Sequence, residues 1–580
     1  MRYLALAADY DQTLATGGKL SPDIENALRK LRRSGRRALL LTGRTLDELE
    51  SVCSTLDLFD CIVLENGGVL YAPSTRQSTL LCQATALGLV PALEQRGVTP
   101  IIRGQALVAT RRPHEVAVLE SIRDLGLELQ IIFNGYSVMV LPSGVNKGSG
   151  LREALRTLGL SVHEVVGVGD AANDHSFLAI CECAVAVHNA IPSIKASVDF
   201  CTRGSEGRGV VELIDELVAN DLASRAPGGS GEAVVLASHV DGPMTFAPYG
   251  QNILISGPSS AGKSTFATSL IERLVDRDFQ VCIIDPEGDY STVEGITTVG
   301  HRLRAPSSEE VMERLANAQA NVVVNLLGVP FDERPDFFSQ LFPRLQALRA
   351  RTGRPHWLVI DEVHHLLPES WGLAPSTLPQ RLGETILITH QPREVTPSIL
   401  AMVDIVVAVG PMPETTLAEF ATALRLPSPE VAAGDEDAGE KDGRANRANE
   451  VVIWQLTAGR SPCRAVVIPP RSERLRHLRK YAEGNLGHRG FFFRGPGNRL
   501  NLRAVNLTAF CDIAMGVDDE TWLFHLRRGD YAAWFYHTIR DEDLAREITA
   551  IAASSQVQPS ASRRLIRDAI ERRYMIPYGP

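Results

Sequence analysis

Two aspartates, Asp9 and Asp11, follow the apolar run YLALAA near the start of the sequence. Side chains two positions apart on an extended strand point to the same side, so both carboxylates can act on one substrate. A carboxylate can attack phosphorus to form an acyl phosphate, while a second one protonates the leaving oxygen and later activates water. A pair with this spacing can also serve only to cap a helix, so further residues must decide between the two interpretations.

Residues suited to binding a phosphoryl group follow another apolar run and begin a predicted helix. Thr42 and Gly43 come after RALLL, and they offer a hydroxyl and a backbone N–H to a phosphoryl oxygen. Lys147, in GVNKGSG, begins the helix, where its ammonium group and the helix N-terminus both favour an anion. These residues favour phosphate chemistry over a purely structural role for the two aspartates.

More carboxylates follow the run VVGVG, in the sequence GDAANDH. Asp170 and Asp174, together with Asp9, form a set of hard oxygen ligands that suits Mg²⁺. The ion would reduce the repulsion between an anionic nucleophile and an anionic phosphate. The combined pattern predicts a magnesium-dependent phosphohydrolase.

In order and spacing, these motifs resemble the four signature motifs of the haloacid dehalogenase superfamily over about residues 1–215. The run Glu65-Asn66-Gly67-Gly68, and an insert between the second and third motifs, resemble the Cof-type branch, which includes sugar-phosphate and phosphoglycolate phosphatases. The resemblance implies the following roles: Asp9 as nucleophile, Asp11 as acid/base, Thr42, Gly43, Lys147 and Asn173 as phosphate-site residues, and Asp9, Asp11, Asp170 and Asp174 as Mg²⁺ ligands.

Gln12 departs from the pattern of this family, which usually has Gly at that position. The backbone there must run close to the phosphate, so a side chain is expected to slow turnover or to reshape the pocket. Two alternatives follow from this departure. The site is either an active phosphatase, which we favour, or a regulatory site that has lost turnover.

A second group of residues suited to chemistry lies at 257–265, GPSSAGKST, between a predicted strand and a predicted helix. The sequence fits G-x-x-x-x-G-K-[ST], in which glycines let backbone N–H groups wrap phosphates. Lysine then reaches the β- and γ-phosphates of ATP, and the hydroxyl that follows it holds Mg²⁺. The residues that this motif predicts to bind nucleotide and metal are Gly257, Gly262, Lys263, Ser264 and Thr265.

The apolar run WLVI ends in Asp361 and Glu362. Asp361 is expected to support the metal and Glu362 to activate water, which favours an ATPase over a small-molecule kinase. Gln391, in THQP, is placed after another run to sense a γ-phosphate. Together with D-P-E-G-D-Y at 285–290, these motifs resemble the HerA/FtsK group of ATPases over roughly residues 245–415. Relatives in that group are often ring-forming DNA motors, but this chain has no evident basic DNA-binding region.

The elements that position these residues follow from alternating apolar runs and helix-like stretches, which predict parallel sheets with crossover helices. In such sheets ligands bind beyond the carboxyl ends of the strands. The predicted fold class is α/β: a haloacid dehalogenase Rossmann-like domain over 1–223 with a small α/β cap at about 84–145, a P-loop α/β domain over 233–475, and a mainly helical segment over 476–580. The polar stretches 224–232 and 427–449 predict a flexible linker and a disordered loop.

Two smaller features have both a structural and a functional interpretation. Phe491, Phe492 and Phe493 lie near arginines and could stack on bases, but such a cluster more often forms the core of a small domain. Cys181 and Cys183 form a lone C-x-C, which more often fills a core than binds a metal. We favour the structural interpretation of both.

The composition of the 580 residues excludes several function classes. The formal net charge of −10 argues against a general nucleic-acid coat, and no apolar run is long enough to span a membrane. The nine cysteines lack a paired C-x-x-C spacing, and the N-terminus lacks the features of a signal peptide. We therefore expect a reduced, cytoplasmic protein, whose oligomeric state the sequence leaves open.

Three functional hypotheses result. The first, which we favour, is a phosphatase for a small phosphorylated metabolite that is coupled to a regulatory ATP-binding domain. The second is an ATP-driven nucleic-acid machine whose phosphatase trims phosphate ends. The third is an ATP-dependent switch whose hydrolase site has lost turnover. DNA-stimulated ATP hydrolysis that weakens steeply with salt would distinguish the second hypothesis from the first.

Overall fold

The computed structural model describes residues 2–84, 88–225, 233–258, 261–291, 293–367, 382–431, 450–456, 461–471, 486, 490–539, 541–553 and 558–574. Most of the two stretches predicted as linker and loop, namely 226–232 and 432–449, lies outside these residues. The chain divides into two compact units. The first comprises 1–291 and 295–468, and the second comprises 469–580 with the short segment 292–294.

The N-terminal half of the first unit contains a mixed sheet and a smaller cap sheet. Its strands are β1 (Ala5–Asp9), β2 (Arg37–Leu41), β3 (Cys61–Leu64), β4 (Val69–Ala72), β5 (Gln77–Leu80), β6 (Ile102–Arg103), β7 (Val108–Arg111), β8 (Leu129–Asn134), β9 (Ser137–Pro142), β10 (Val165–Gly169), β11 (Cys183–Ala186) and β12 (Phe200–Cys201). Its helices are α1 (Pro22–Arg33), α2 (Leu46–Glu50), α3 (Leu89–Gln95), α4 (Glu115–Asp124), α5 (Lys147–Leu158), α6 (His175–Leu178), α7 (Pro192–Lys195) and α8 (Glu206–Asn220).

The main sheet has the order β12-β11-β10-β1-β2-β3-β4-β5 and is parallel from β12 to β3. Its central strands are apolar and buried on both faces, as in β1, whose five residues are all buried. Crossover helices such as α1 begin at clear local signals, because Ser21 caps the helix N-terminus and Pro22 occupies the first turn. The carboxyl ends of β1, β2 and β10 therefore meet at one edge.

The cap is an antiparallel sheet of order β6-β7-β9-β8 with the helices α3 and α4. The sequence predicts a small α/β cap at about 84–145, but its local patterns do not mark the helix α3. This helix spans only seven residues and buries Leu89 and Leu93. That is too short for a helical period to stand out from the sequence.

The rest of the first unit is an α/β domain around a long sheet. Its strands are β13 (Val234–His239), β14 (Gly242–Phe246), β15 (Asn252–Ser256), β16 (Val281–Asp285), β17 (Ile296–Val299), β18 (Asn321–Asn325), β19 (Trp357–Ile360), β20 (Thr385–Thr389), β21 (Ile405–Val409), β22 (Glu450–Gln455) and β23 (Cys463–Val466). Its helices are α9 (Lys263–Val275), α10 (Ser308–Ala316), α11 (Arg334–Thr352), α12 (Val363–Leu366), α13 (Pro397–Leu400) and α14 (Pro413–Ala423).

This sheet has the order β14-β13-β23-β22-β21-β15-β20-β19-β16-β18-β17 and is parallel from β21 to β17. The buried strands β15, β16, β18, β19, β20 and β21 coincide with apolar runs of the strand–helix alternation that the sequence predicts. The flanking strands β13, β14, β17, β22 and β23 are not among the predicted ones. Several are half-exposed, as in β14 and β17, so they lack the continuous apolar run of a buried strand.

The second unit is mainly helical, as the sequence predicts. It contains the hairpin β24 (Phe491–Phe493) and β25 (Leu502–Ala504), and the helices α15 (Leu507–Gly516), α16 (Asp519–Arg527), α17 (Asp530–Trp534), α18 (Glu542–Ala553) and α19 (Pro559–Tyr574). Phe491 and Phe493 are buried in its apolar core. The predicted class, two α/β domains and a helical C-terminal segment, is thus confirmed.

Among the described residues, no helix is both long enough and apolar enough to cross a bilayer. This finding agrees with the composition, since the longest helices, such as α11 and α19, carry arginines along their length.

A buried contact joins the two sheets of the first unit near the amino ends of their strands. Glu164, just before β10, forms an ion pair of 2.5 Å with Arg354, just before β19, and both side chains are almost fully buried. The His163 ring stacks on Phe279 with ring centroids 3.9 Å apart. The carboxyl ends of both sheets, which bear the candidate site residues, therefore lie away from this contact.

We predict that Arg354→Ala destabilises the first unit by about 3–5 kcal/mol, because it leaves the buried Glu164 carboxylate without its cation. Chemical unfolding followed by circular dichroism measures the change. Arg351→Ala, at an exposed position of α11, is the matched control and is expected to be nearly neutral. Adding Glu164→Gln to Arg354→Ala should recover part of the loss, since the buried charge is then removed. Equal effects of the Arg351 and Arg354 variants would contradict this account.

Candidate functional site

Three carboxylates converge at the carboxyl edge of the N-terminal sheet. Asp9 ends β1, Asp170 directly follows β10, and Asp174 lies in the turn after it. One oxygen from each lies within 4.8 Å of the others, and all three residues are buried. Asp174 is held in place by the backbone N–H groups of Asp170 and Ala171, each of which donates a hydrogen bond of 2.9 Å.

Lys147 lies among these carboxylates at the first position of α5, where Asn146 caps the helix. Its ammonium group donates to Asp174 Oδ1 at 2.7 Å and to Asp9 Oδ1. The side chain is only 1% exposed, so a full positive charge is buried beside the carboxylates. The helix N-terminus and Lys147 together make this point attractive to an anion.

Burial and the neighbouring charge of Asp174 shift the pKa values of Asp9 and Asp170. Burial, followed by the charge of Asp174, raises the pKa of Asp9 well above its ordinary value, although Lys147 opposes the rise. Burial and Asp174 raise the pKa of Asp170 to about 6. A divalent cation bound by these oxygens would relieve the repulsion, and carboxylate oxygens are the ligands that Mg²⁺ prefers. The residues present therefore fit a magnesium ion.

The Asp11 carboxylate does not point into this group. Arg44 holds it through two hydrogen bonds, 2.9 Å from Nε and 2.7 Å from Nη2, and the guanidinium also lies over the Tyr10 ring. The pair is partly exposed to solvent. Arg44 directly follows Thr42 and Gly43, but no local pattern in the sequence marks it as the partner of Asp11.

The other predicted phosphate residues border the same edge. Thr42 is buried directly after β2, and its Oγ1 accepts a hydrogen bond from the Arg44 N–H at 3.2 Å. Gly43 abuts the cap, since a Cβ there would lie 3.3 Å from Met139 Sδ. Asn173 donates to Asn66 Oδ1 at 3.2 Å. The structure thus brings Thr42 and Gly43 to the boundary between the main sheet and the cap.

Glu65 anchors the cap to the main sheet. Its carboxylate accepts hydrogen bonds from three consecutive backbone N–H groups, at 3.0 Å from Gln105, 2.7 Å from Ala106 and 2.9 Å from Leu107. Gly104 approaches it so closely that a Cβ there would lie 2.4 Å from Glu65 Oε2. The sequence places Glu65 at a strand end, but this binding of the β6–β7 turn depends on the fold.

Gln12 has a left-handed backbone, with φ of 60°. Its side chain is exposed, and its carbonyl accepts a hydrogen bond of 2.8 Å from Asn189. The position therefore favours Gly for its backbone conformation, a reason separate from the crowding of phosphate that the sequence analysis considers.

The P-loop has the geometry that its glycines permit. Gly257 packs so tightly that a Cβ would lie 2.0 Å from the carbonyl oxygen of Val409, and Gly262 has φ of 100°. Lys263 begins α9, and its ammonium donates to the carbonyls of Gly257 and Pro258 at 3.0 and 3.1 Å. Two further predicted residues, Ser264 and Thr265, follow in the first turn of the same helix.

Two acidic residues follow β19, which is separated from the P-loop strand β15 by β20. Asp361 is buried, and burial followed by the charge of Asp285 raises its pKa well above the ordinary value. Burial lowers the pKa of Lys263, whereas the charges of Glu362 and Asp361 oppose that change, so these groups interact. A cation near Asp361 would offset the free-energy cost of burying the charged carboxylate. The Asp361 carboxylate is a ligand of the kind that Mg²⁺ prefers.

Gln391 lies just beyond β20, and its side chain is exposed. In the sheet β20 lies between β15, which leads into the P-loop, and β19, which leads to Asp361.

Asp285, at the end of β16, differs from Asp361 in its hydrogen bonds. It accepts hydrogen bonds from the N–H groups of Gly288, Asp289 and Tyr290, so it shapes the turn after β16. Burial raises its pKa to about 6.

Comparison with known proteins identifies both α/β parts. Residues 108–214 match the family model of haloacid dehalogenase-like hydrolases, and residues 232–388 match that of the AAA ATPase domain. These matches support a hydrolase with a haloacid dehalogenase-like region followed by an AAA-type P-loop ATPase domain.

Individual relatives cover only part of the chain. A phosphoglycolate phosphatase of Methanothermobacter thermautotrophicus is 27% identical over 223 residues, which is 36% of this chain and 96% of that protein. A phosphoglycolate phosphatase of Sulfolobus acidocaldarius is 29% identical over 203 residues, which is 34% of this chain and 88% of the relative. A solved haloacid dehalogenase-like hydrolase from Bacteroides thetaiotaomicron aligns with 37% of this chain and 99% of its own, with 18% identity and a TM-score of 0.32.

We predict that Gln12→Gly stabilises the protein by roughly 1 kcal/mol or less. Relief of left-handed strain, worth about 1–2 kcal/mol, is partly offset by the greater backbone entropy of unfolded Gly. The midpoint of urea unfolding measures the effect. Gln12→Ala retains Cβ and is the control, which should bring no such gain. A loss of stability in Gln12→Gly would show that the exposed side chain makes a favourable contact.

Proposed function

We propose that this protein is a Mg²⁺-dependent phosphomonoesterase that acts through an aspartyl phosphate on Asp9, joined to a domain that binds and hydrolyses ATP. The observation that carries the proposal is the buried group of Asp9, Asp170, Asp174 and Lys147. This group supports the proposal because it brings the proposed nucleophile next to carboxylates suited to a divalent cation and next to a buried positive charge. A purely structural group would not need three buried carboxylates with one lysine.

In the first step, Asp9 Oδ attacks phosphorus, and the bond between phosphorus and the ester oxygen breaks. Asp11 gives its proton to the departing oxygen. In the second step, Asp11 accepts a proton from water, whose oxygen attacks phosphorus and releases Asp9 and phosphate. Asp11 is paired with Arg44 in the structure, so the first step requires Arg44 to release it.

The remaining residues bind and orient. Lys147 and Thr42 hold phosphoryl oxygens, Gly43 offers its N–H, and Asn173 orients the site. Asp9, Asp170 and Asp174 would hold Mg²⁺, which would supply positive charge next to the transferring phosphoryl group. Asp11 is assigned to proton transfer alone, because Arg44 holds its carboxylate outside this group. These roles are the ones that the resemblance to haloacid dehalogenases implies, assigned here to the side chains described above.

The substrate we propose is a small phosphorylated metabolite of the sugar-phosphate or phosphoglycolate class. Two relatives carry the name phosphoglycolate phosphatase and are matched along 96% and 88% of their lengths. The cap is small and Glu65 ties its β6–β7 turn to the main sheet, which suits a compact substrate. Cap residues such as Met139 would line the substrate from above Gly43.

The second domain is proposed to bind ATP through Gly257, Gly262, Lys263, Ser264 and Thr265. Ser264 and Asp361 would hold Mg²⁺, Glu362 would activate water, and Gln391 would sense the γ-phosphate. The buried contact of Glu164 with Arg354 offers a route by which the ATP-binding state influences the phosphatase.

We expect Asp9→Asn to lower Mg²⁺-dependent phosphate release by roughly three orders of magnitude or more, because an amide cannot form the acyl phosphate. A panel of sugar phosphates and phosphoglycolate with a phosphate assay measures it. Asp23→Asn, on the exposed side of α1, is the matched control and should keep full activity. Undiminished turnover by Asp9→Asn would refute the proposed nucleophile.

For the second domain, Lys263→Ala is expected to weaken ATP binding by at least tenfold, since it removes a charge aimed at the phosphates. Glu362→Gln should bind ATP normally but hydrolyse it slowly. Calorimetry and a phosphate assay separate the two effects, and Lys195→Ala, at an exposed lysine, is the control for the first. Normal hydrolysis by Glu362→Gln would show that another group activates the water.

A further inference from the structure

Three side chains of metal-binding type meet beyond the carboxyl ends of β19 and β20. Glu362 and His364 follow β19, and His390 follows β20, its parallel neighbour. One ligand atom of each lies within 4.8 Å of the others. We call Glu362, His364 and His390 the Glu-His-His cluster. Two adjacent buried strands hold it, so its geometry is set by the rigid part of the sheet.

The two distances from Glu362 to the histidines match those between ligands of one tetrahedral metal ion. His364 Nδ1 lies 3.3 Å and His390 Nδ1 lies 3.6 Å from Glu362 Oε2. Zinc bonds of about 2.0–2.1 Å place neighbouring tetrahedral ligands about 3.4 Å apart. The two imidazole rings cross at 78° with centroids 4.2 Å apart, so they are not stacked face to face.

Hydrogen bonds do not account for the arrangement. Within the described part of the chain, Glu362 Oε2 and His364 Nε2 are buried and have no hydrogen-bond partner. The Thr389 hydroxyl lies 3.1 Å from His364 Nδ1, but it can donate instead to the Gln391 carbonyl at 3.2 Å. A buried carboxylate oxygen that faces two imidazole nitrogens without a hydrogen bond is costly unless a cation joins them.

The donor set determines the class of ion. Two imidazoles and one carboxylate suit Zn²⁺ and its first-row neighbours, whereas Mg²⁺ and Ca²⁺ prefer oxygen alone. Three protein ligands leave the fourth tetrahedral position open to water. The cluster thus differs in ligand chemistry from the carboxylate group of Asp9 and from the magnesium site proposed at Asp361.

We propose that Glu362, His364 and His390 bind a transition-metal ion of the Zn²⁺ class, and that its occupation inhibits ATP hydrolysis. A metal bound to Glu362 Oε2 occupies the electron pair that would accept a proton from water. ATP binding through Lys263 would persist, because this residue is outside the cluster. The inhibition rests on the proposed role of Glu362, whereas the metal site itself does not.

The test of the site is a titration of the full-length protein with Co²⁺ in excess Mg²⁺, followed by visible absorption. Excess Mg²⁺ occupies the carboxylate sites at Asp9 and Asp361, so that Co²⁺ does not bind there. Co²⁺ bound to a cysteine thiolate would give an intense near-ultraviolet absorption band and can be distinguished in this way. We expect one equivalent of Co²⁺ to give the visible bands of four-coordinate cobalt, which Zn²⁺ then abolishes. His364→Ala and His390→Ala should each weaken this binding by at least tenfold.

His365→Ala is the matched control, since it removes a neighbouring imidazole that contacts Phe331 and the His364 ring but is not one of the three ligands. It should keep the cobalt spectrum. Visible bands that persist in His364→Ala and His390→Ala, or that never form in the unaltered protein, would overturn the site.

Inhibition is measured as the Zn²⁺ concentration that halves ATP hydrolysis, relative to the basal rate of each variant. That concentration should rise at least tenfold in His390→Ala and stay unchanged in His365→Ala. Cobalt binding without zinc inhibition would overturn the inhibitory role and leave the site. An unaltered protein without ATPase activity would refute the proposed ATP hydrolysis, and the inhibitory role with it, while the cobalt titration would still decide the site.

Discussion

The placement of one lysine among three buried carboxylates is the constraint on which the N-terminal region depends. Asp9, Asp170 and Asp174 lie within 4.8 Å of one another, and such a group is stable only where positive charge compensates it. Lys147 supplies one charge from the start of α5, and the proposed Mg²⁺ would supply more. The position of α5 relative to β1 and β10 is therefore tied to the charge balance of the site.

The second sheet also buries aspartates whose charge must be compensated, but it compensates them in a different way. Asp285 is buried, but three backbone N–H groups satisfy its carboxylate, and it serves the turn after β16. Asp361 has fewer such donors, and its pKa is raised well above the ordinary value. Backbone donors thus make one buried aspartate structural, whereas the other remains available for a cation. Glu362 is likewise available for a cation, since its Oε2 has no hydrogen-bond partner among the described residues.

The two sheets meet near the amino ends of their strands, and this limits how their sites can communicate. Within the described residues Glu164 pairs with Arg354, and both also bond to nearby backbone groups. Neither side chain can therefore move alone without leaving a buried charge unpaired. A change in one sheet would reach the other as a displacement of strands β10 and β19, which run from this contact to the two sites. Coupling of this kind is mechanical and needs no common ligand.

Local patterns in the sequence determined the strand–helix alternation, the P-loop and the order of the haloacid dehalogenase motifs, because burial on both faces and glycine-rich turns leave direct traces in residue order. They could not show the pairing of Arg44 with Asp11, the three N–H groups on Glu65, or the meeting of Glu362 with His390. Each of these joins residues that are distant in the chain, and only the strand order of the folded sheets brings them together. The left-handed backbone of Gln12 belongs to the same class, since surrounding contacts rather than its own side chain impose it.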